Sequence, residues 1–524
     1  MRIAILCNGR TLSSWQRQAI DLIADKHPLY LLTCDDPPAK RNAWRHGLYY
    51  LLNLASVRNR ANRTIPFPTA DYRIADRLDF QAEHRGAWSA LPDEAFDWIK
   101  SNRIEAIVKF GLNLLTVPEP EKLATPILSY HHGDPRSFRG RPAGFYELTK
   151  GEPFVGQVIQ ILSNKLDSGE VLAFAQSRAS PHSYRRTMVD AFSLSPMLLP
   201  QALAALEEGR RLPIEPRGNN YRLPGNATVL QFAVGRIRQL GRRLAYGAFV
   251  EKRWRVSLAR SGDAPDPLAA IASADRDRNK WRSLPVRPPH RFHADPFFHE
   301  STMLIEAMNG RTGKGELVRI DDDDQTVIGG LPGHTSYPAG VEQEGRNYVV
   351  PETRGWSRPA AFAIEGGQAV RVADLDIDEE AILDPTLFRQ EGRLYLFGNR
   401  ASEGSSILRL WSAVGLFARF EEHPASPIRC SVRGARMAGP IHRWPGGLFR
   451  LGQDFRSAYG DGVVAFRIEE LTAEQYREIE VGAASFDEVK GPHTVDVRDG
   501  ELLFDWYEER GSTLAGFRRL LNRL

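Results

Sequence analysis

The sequence predicts an α/β domain built on a parallel, doubly wound sheet, followed by an all-β five-bladed propeller. Three observations lead there. Apolar strand-like runs alternate with helical patterns over the first part of the chain. A stretch marked by Pro and Gly then gives way to a basic amphipathic run. After Trp281 a strand-turn-strand pattern recurs five times. The expected boundaries are 1–209 for the first domain, 210–250 for a linker with a basic helix, and 251–524 for the propeller.

The length of 524 residues is too great for one ordinary core, which agrees with two domains. A hydrophobic share of 42% beside 26% charged residues is that of an ordinary globular chain. The net charge of +4 gives no support to a nucleic-acid partner. Cys7, Cys34 and Cys430 have neither metal nor redox spacing, so we expect no metal, no disulfide framework and a reducing compartment. The N-terminal run Ile3 to Cys7 is too short for a secretory signal, and no apolar run approaches bilayer length, so the expectation is a cytoplasmic protein without a transmembrane segment.

In order, strand Ile3 to Cys7 passes through Asn8-Gly9-Arg10 into a helical pattern at Trp15, Ala19, Ile20 and Ile23, then into strand Leu29 to Thr33. The turn is not GxGxxG, so no dinucleotide site is argued. Residues Ala39 to Arg63, rich in Arg and Asn, read as a surface helix or insertion. A helix from Pro92 to Ser101 precedes strand Ala106 to Phe110, which ends in Gly111. A strand entered through Ile127 and Leu128 delivers Ser129-Tyr130-His131-His132 to a Pro/Arg/Gly loop. Strand Gly156 to Ile161, a turn at Leu166-Asp167-Ser168-Gly169-Glu170, a strand after it and a helix over Ser183 to Glu208 complete the domain.

A pair of histidines in a loop is by itself usually solvated or bonded to backbone. The surrounding run changes that weighting. His131, Arg139-Gly140, Gly151 to Gly156 and Leu166 to Glu170 stand in the order and spacing of the formyltransferase family that uses 10-formyltetrahydrofolate, and the stretch Ile127 to Leu172 resembles that family. The resemblance implies a Rossmann-like fold and a co-substrate, 10-formyltetrahydrofolate. It implies that His131 stabilises an oxyanion while Asp167 keeps it oriented and charged and helps move a proton. Phe110, Gly111, Leu112, Arg139 and Gly140 would lie near the folate. The sequence departs at Ser129, where the family has an Asn that helps hold the formyl oxygen; a water or another donor would have to fill that gap, or formyl transfer is impaired. His132 is the alternative if the register slips by one, and Asp134 reads as a turn cap ahead of an amine ligand.

Pro213, Pro216, Gly218, Pro224 and Gly225 mark the connection, and the run Val229 to Phe249 carries Arg236, Arg238, Arg242 and Arg243. The repeats then begin at Asp295-Pro296, Tyr337-Pro338, Asp384-Pro385, Gly439-Pro440 and His493-Thr494. The four prolines are 42, 47 and 55 residues apart, the period of propeller blades. Ala294 to Phe297, His334 to Pro338, Pro351-Glu352-Thr353, Arg450 to Asp454 and Tyr459-Gly460 resemble five-bladed glycosidase-type propellers and, more closely, the N-terminal region of plant glucosamine inositolphosphorylceramide transferases. In the glycosidases, inner-strand carboxylates act as base, pKa modulator and acid. Asp295 and Asp384 match the first two. Ala438 stands where the acid would be, leaving Glu352 or Glu306 to replace it, and a structural or glycan-binding role ranks ahead of hydrolysis.

The expected function is transfer of a formyl group to an amine, that of a nucleotide-linked amino sugar, with the propeller binding glycan or organising a homo-oligomer. The alternatives are a glycoside hydrolase and a glycan-binding protein whose formyltransferase domain has decayed at Ser129.

Overall fold

The computed structural model describes residues 1–36, 43–68, 71–86, 88–112, 114–322, 324–352, 358–378, 381–456 and 458–521. Residues 39–42 of the expected insertion and Thr353 of the second resemblance lie outside them. The chain forms two compact units, Met1–Arg243 and Leu244–Leu524.

The first unit is built on a seven-stranded sheet of β1 (Ile3–Asn8), β2 (Leu29–Cys34), β3 (Ile74–Phe80), β4 (Ala106–Lys109), β5 (Ile127–His131), β6 (Phe154–Ile161) and β7 (Val171–Arg178). Their spatial order is β7-β6-β5-β4-β1-β2-β3. Strands β1 to β5 run parallel, and β6 is antiparallel to both its neighbours, β5 and β7, so that β7 again has the direction of β5. The sheet is therefore mixed, not parallel throughout as the alternation implied. The reason is the short connection between β6 and β7, which leaves no room for a crossover helix. The central strands are buried on both faces and read as continuous apolar runs, as in Ile3-Ala4-Ile5-Leu6. Helix Asp93–Ser101 covers one face with Ala95, Phe96 and Ile99 packed against Leu6, Leu32, Ile107 and Ile127. On the opposite side Trp15, Phe145, Tyr184, Met188, Phe192 and Phe232 share one core.

The expected long helix over 183–208 is broken into Tyr184–Leu194 and Leu198–Glu207 by a 3-10 turn at Ser195–Met197, because Pro196 has no N–H to continue the ladder. The span Tyr184–Glu207 is nonetheless long and apolar enough to cross a membrane, which corrects the expectation that no run approaches that length, and 56% of that window is buried within the protein. The basic run is helix Asn226–Phe249.

Among its described residues the second unit contains five antiparallel sheets. Four follow in chain order, led by strands His290–His299, Ser336–Gln343, Ile382–Gln390 and Arg433–Met437. The fifth is shared between the ends of the unit: Val250–Arg260 pairs along its length with Glu501–Gly511, which pairs in turn with Val495–Arg498. The leading strands of the four chain-order sheets touch one another in succession, and Val495 donates its N–H to Ala438 across to the fifth. Each sheet has four strands on its main path where the sequence reading counted two per repeat.

Phe504 is fully buried between Trp281 and Phe486 in the strand that closes the fifth sheet. Phe504→Ala is expected to destabilise the second unit by about 3–5 kcal/mol, read from the midpoint of its chemical denaturation.

Candidate active site

His131 closes β5 and is 7% exposed. Its Nε2 donates to the carbonyl of Phe138 at 3.0 Å, and its Nδ1 lies 3.4 Å from Asp167 Oδ2. A carbonyl only accepts, so Nε2 holds its proton and Nδ1 is the nitrogen left to exchange one. Asp167 sits in the connection between β6 and β7 with φ at +44°. Its Oδ2 accepts the Gly140 N–H at 2.7 Å. Arg139 braces the same connection, with Nη1 donating to Ser168 Oγ at 2.7 Å and Nε to the Gly218 carbonyl at 2.7 Å. Gly140 has φ at +84°, and a Cβ there would stand 2.1 Å from the Tyr221 carbonyl. The polar groups of Arg139 and Gly140, expected beside a folate, thus hold Asp167 in place.

Lys109, Ser129 and Gln160 are register partners on β4, β5 and β6. Partners in adjacent strands share a face, and Ser129 shares its face with His131 two residues on. Burial brings the Lys109 amine down to about 8, against the opposing pull of Asp167. Sequence reasoning missed Lys109, although a lone Lys ending the run Ala106-Ile107-Val108 was a usable signal. It also missed Glu147, 3% exposed on helix Phe145–Lys150. Burial pushes this carboxyl up to about 8, and it lines the same cleft as His131.

Other expected residues have other partners. His132 lines the same cleft but is tied inward: burial, then the neighbouring His131, lowers it to about 3, its Nε2 is 2.9 Å from Ser195 Oγ, and its ring packs on Trp15 and Phe192. Asp134 is bound by the Arg136 side chain at 2.6 Å and accepts the Arg136 N–H. Phe110 stacks on Tyr130 among core aromatics. Gly111 lets the chain pass Asn8, whose side-chain oxygen would be 2.5 Å from a Cβ, and the Leu112 N–H donates to that oxygen at 2.8 Å. These three are packed against β1 and are absent from the lining of the His131 cleft. The cleft holds about 10 Å3, too little for a folate ring system in this conformation. It adjoins a second cleft of about 300 Å3 through Arg141 and Pro142.

In the second unit the four expected carboxylates converge. Asp295 and Asp384 are left-handed residues before proline, with φ at +45° and +46°, and Tyr337 repeats the feature at +49°. Each coincides with a register shift in its leading strand. Such strain, about 1–3 kcal/mol per residue, persists only where the surroundings impose it. Asp384 takes two bonds from Arg436, at 2.5 and 2.9 Å, and one from Gln453 at 2.9 Å; Arg436 also holds Glu352 at 2.9 Å. Burial and Asp384 raise Glu352 to about 8 despite Arg436. Burial, then Asp295 and Glu352, raise Glu306 well above the usual range. Burial opposes charge on His493, but Asp505 and Asp295, 3.2 and 3.3 Å away, raise it to about 10. Asp295, His493 and Asp505 stand close enough to share an ion, yet Asp505 already accepts three backbone N–H groups, from Asp295, His493 and Thr494. Arg436 carries no pattern by which the sequence alone singled it out, and His493 was marked there only as the start of the fifth repeat.

Comparison with known proteins gives separate results for the two units. The profile of the family described as "Glucosamine inositolphosphorylceramide transferase 1, N-terminal" matches residues 264–501, less than half of the chain. Glucosamine inositolphosphorylceramide transferase 1 of Oryza sativa subsp. japonica is 26% identical over 220 residues, covering 39% of this chain and 30% of the relative. Its Arabidopsis thaliana counterpart is 24% identical over 250 residues, covering 42% and 33%. The chain therefore spans about a third of the length of these relatives. Among solved structures, phosphoribosylglycinamide formyltransferase from Streptococcus pneumoniae TIGR4 matches at 15% identity and TM-score 0.26, over 39% of this chain and 98% of that one. Glycinamide ribonucleotide transformylase 1 from Geobacillus kaustophilus matches at 17% identity and TM-score 0.29, over 39% and 97%. Scores that low carry no functional weight.

Arg436→Met leaves Asp384 and Glu352 buried without their cation, so a loss of about 3–5 kcal/mol in second-unit stability is expected, measured by denaturant unfolding. For Lys109 the folded amine titrates near 8 and the unfolded one at 10.5, so the unfolded chain binds more protons between those values. Stability of wild type relative to Lys109→Met is expected to increase as pH rises through that window, and a flat difference would contradict the assignment.

Proposed function

We propose that the first unit is an N-formyltransferase that passes a formyl group from 10-formyltetrahydrofolate to the amine of an amino sugar. The observation that carries this reading is the His131–Asp167 pair, braced by Arg139 and Gly140 at the end of β5. The amino-sugar part draws on the word glucosamine in the names of the relatives.

Bound folate would supply the formyl group. Around it the groups of the chain divide the work. His131 Nδ1, facing Asp167, takes the proton from an attacking amine. Lys109, positive at neutral pH and on the same face of the sheet, balances negative charge developing on that face in place of the donor that Ser129 is too short to be. Glu147, protonated at neutral pH beside the same cleft, is a proton source for a departing nitrogen. Admitting the ring requires residues 133–142 to part from helix Phe145–Lys150. Three buried cysteines that form no disulfide fit the cytoplasmic setting that belongs to the same proposal.

For the second unit we propose a five-bladed propeller with a carbohydrate at its centre. Its support is the ring of leading strands and the gathering of Asp295, Glu306, Glu352 and Asp384 beside the half-exposed ring of Tyr459. A second reading, in which this unit is the active one, is favoured by the tightness of the His131 cleft and by Glu306, which keeps its proton next to Asp295.

The test is turnover of 10-formyltetrahydrofolate with a panel of amino sugars. Wild type is expected to react with one of them, and His131→Ala and Asp167→Asn to lower kcat by about 10²–10⁴ while Asp295→Asn remains near wild type. Absence of folate turnover with every amine contradicts the reading. Glycan hydrolysis lost in Asp295→Asn and retained in His131→Ala would establish the second reading.

A further inference from the structure

We infer that the first unit docks on an anionic lipid bilayer through the outer face of helix Asn226–Phe249, with Trp44 beside the first turn of that helix as an interfacial anchor. The inference concerns where the unit sits and does not depend on the reaction proposed for it.

Within the first unit the helix has two unlike faces. Val229 and Phe232 are buried in the core that holds Phe145 and Tyr184. Arg236 lies over the Phe232 ring and donates to the Leu148 carbonyl at 3.0 Å, and Arg243 meets His182. These residues occupy the inward face. On the other side Leu230, Val234 and Ile237 follow at the spacing that stacks side chains along a helix, and Leu240 stands one turn beyond Ile237. They are 59%, 48%, 69% and 42% exposed. A helix packed on a core by one face ordinarily turns polar residues outward, whereas this one presents an apolar stripe. Single exposed apolar residues need no explanation, but a continuous stripe marks a surface that is covered in use.

Charge decides what covers it. Arg238 and Arg242, one turn apart beside the stripe, are exposed, and neither has an ion-pair or hydrogen-bond partner among the described residues. The sequence holds no carboxylate between Glu215 and Glu251, a stretch with six arginines, and none between Asp36 and Asp71, a stretch with six lysines and arginines. The two stretches meet in the fold. The Asn226 side chain accepts the Leu48 N–H and donates to the Trp44 carbonyl, both at 3.0 Å, and His46 Nδ1 lies 2.9 Å from the Pro224 carbonyl. Trp44 therefore stands beside the first turn of the helix, 94% exposed. An indole, apolar with one polar N–H, suits the boundary between acyl chains and headgroups. Arginines flanking an exposed apolar stripe match an anionic bilayer, the stripe entering the headgroup boundary and the guanidinium groups meeting lipid phosphates. A second copy of the chain fits less well, because a symmetric contact would set cations against cations with no carboxylate on either helix.

Flotation of the full-length protein with vesicles tests this, using phosphatidylcholine alone and phosphatidylcholine with phosphatidylglycerol in equal amounts. The proteins compared are wild type, Leu230→Gln/Ile237→Gln, Arg238→Gln/Arg242→Gln, Trp44→Ala, and the control Val370→Gln/Val372→Gln, which removes exposed apolar residues from strand Gln368–Asp374 of the second unit. Each has its melting temperature recorded. Wild type and the control are expected to float with the anionic vesicles and not with phosphatidylcholine alone, and to be released as salt is raised. The two double variants are expected to bind at least about tenfold more weakly. If wild type ignores anionic vesicles, binds both kinds equally, or is matched by either folded double variant, the docking surface is overturned. Unchanged binding by Trp44→Ala overturns the anchor. Should Leu230→Gln/Ile237→Gln fail to fold, Arg238→Gln/Arg242→Gln must still show the weakening, and its absence overturns the surface. A dimer in sedimentation equilibrium that Leu230→Gln/Ile237→Gln dissociates would assign the stripe to a second copy and overturn the proposal, as would binding to an acidic polypeptide, polyglutamate, in place of vesicles.

Discussion

The first unit depends on the carboxylate of Asp167 being held where an ordinary connection between two antiparallel strands would not leave it. Its left-handed backbone, the Gly140 N–H and the Arg139 brace bring the β6–β7 connection against the end of β5, where His131 already has one nitrogen anchored on the Phe138 carbonyl. The histidine is thereby buried, oriented and left with one exchangeable nitrogen beside a partly buried carboxylate. Glycine at 140 and arginine at 139 are demanded by this closure, since any Cβ at 140 meets the Tyr221 carbonyl. The same closure explains why the adjoining cleft is so narrow.

Compensation of charge organises the second unit differently. Its carboxylates are not held apart in water but gathered and neutralised, by Arg436 on Asp384 and Glu352, by His493 on Asp295 and Asp505, and by a retained proton on Glu306. Three leading strands enter this centre through the same left-handed residue before proline, which sets the side chain of Asp295, Tyr337 or Asp384 at each entry. Burial of this many ionisable groups costs more than it returns in stability alone, which points to binding as the reason they are there.

Much of this was legible in the residues. Continuous apolar runs marked β1, β2, β4 and β5 because strands covered on both faces have no alternation to lose. The spacing of Asp-Pro and Tyr-Pro pairs marked the entries of successive sheets, because proline at a fixed bulge recurs with the repeat. Counting from Arg139-Gly140 singled out His131 over His132, and the structure gives the two rings different partners, the Asp167 carboxylate and the Ser195 hydroxyl. What stayed hidden depended on long-range contact. The reversal of β6, the placing of Lys109 beside Ser129 and of Glu147 in the His131 cleft, and the pairing of Arg436 with carboxylates more than fifty residues away leave no local periodicity. The surroundings of Phe110, Gly111 and Leu112 stayed hidden for a related reason: their side chains and backbone answer to Asn8 and to the aromatic core.

The central claim is that the His131–Asp167 pair addresses a folate-borne formyl group, and a crystal structure of the protein with 5-formyltetrahydrofolate tests it most directly. The account predicts the ligand's ring system between residues 133–142 and helix Phe145–Lys150, these having moved apart, with the formyl-bearing end against His131 Nδ1 and Asp167. Saturating ligand that leaves this cleft closed, or that binds at the centre of the second unit instead, would contradict it.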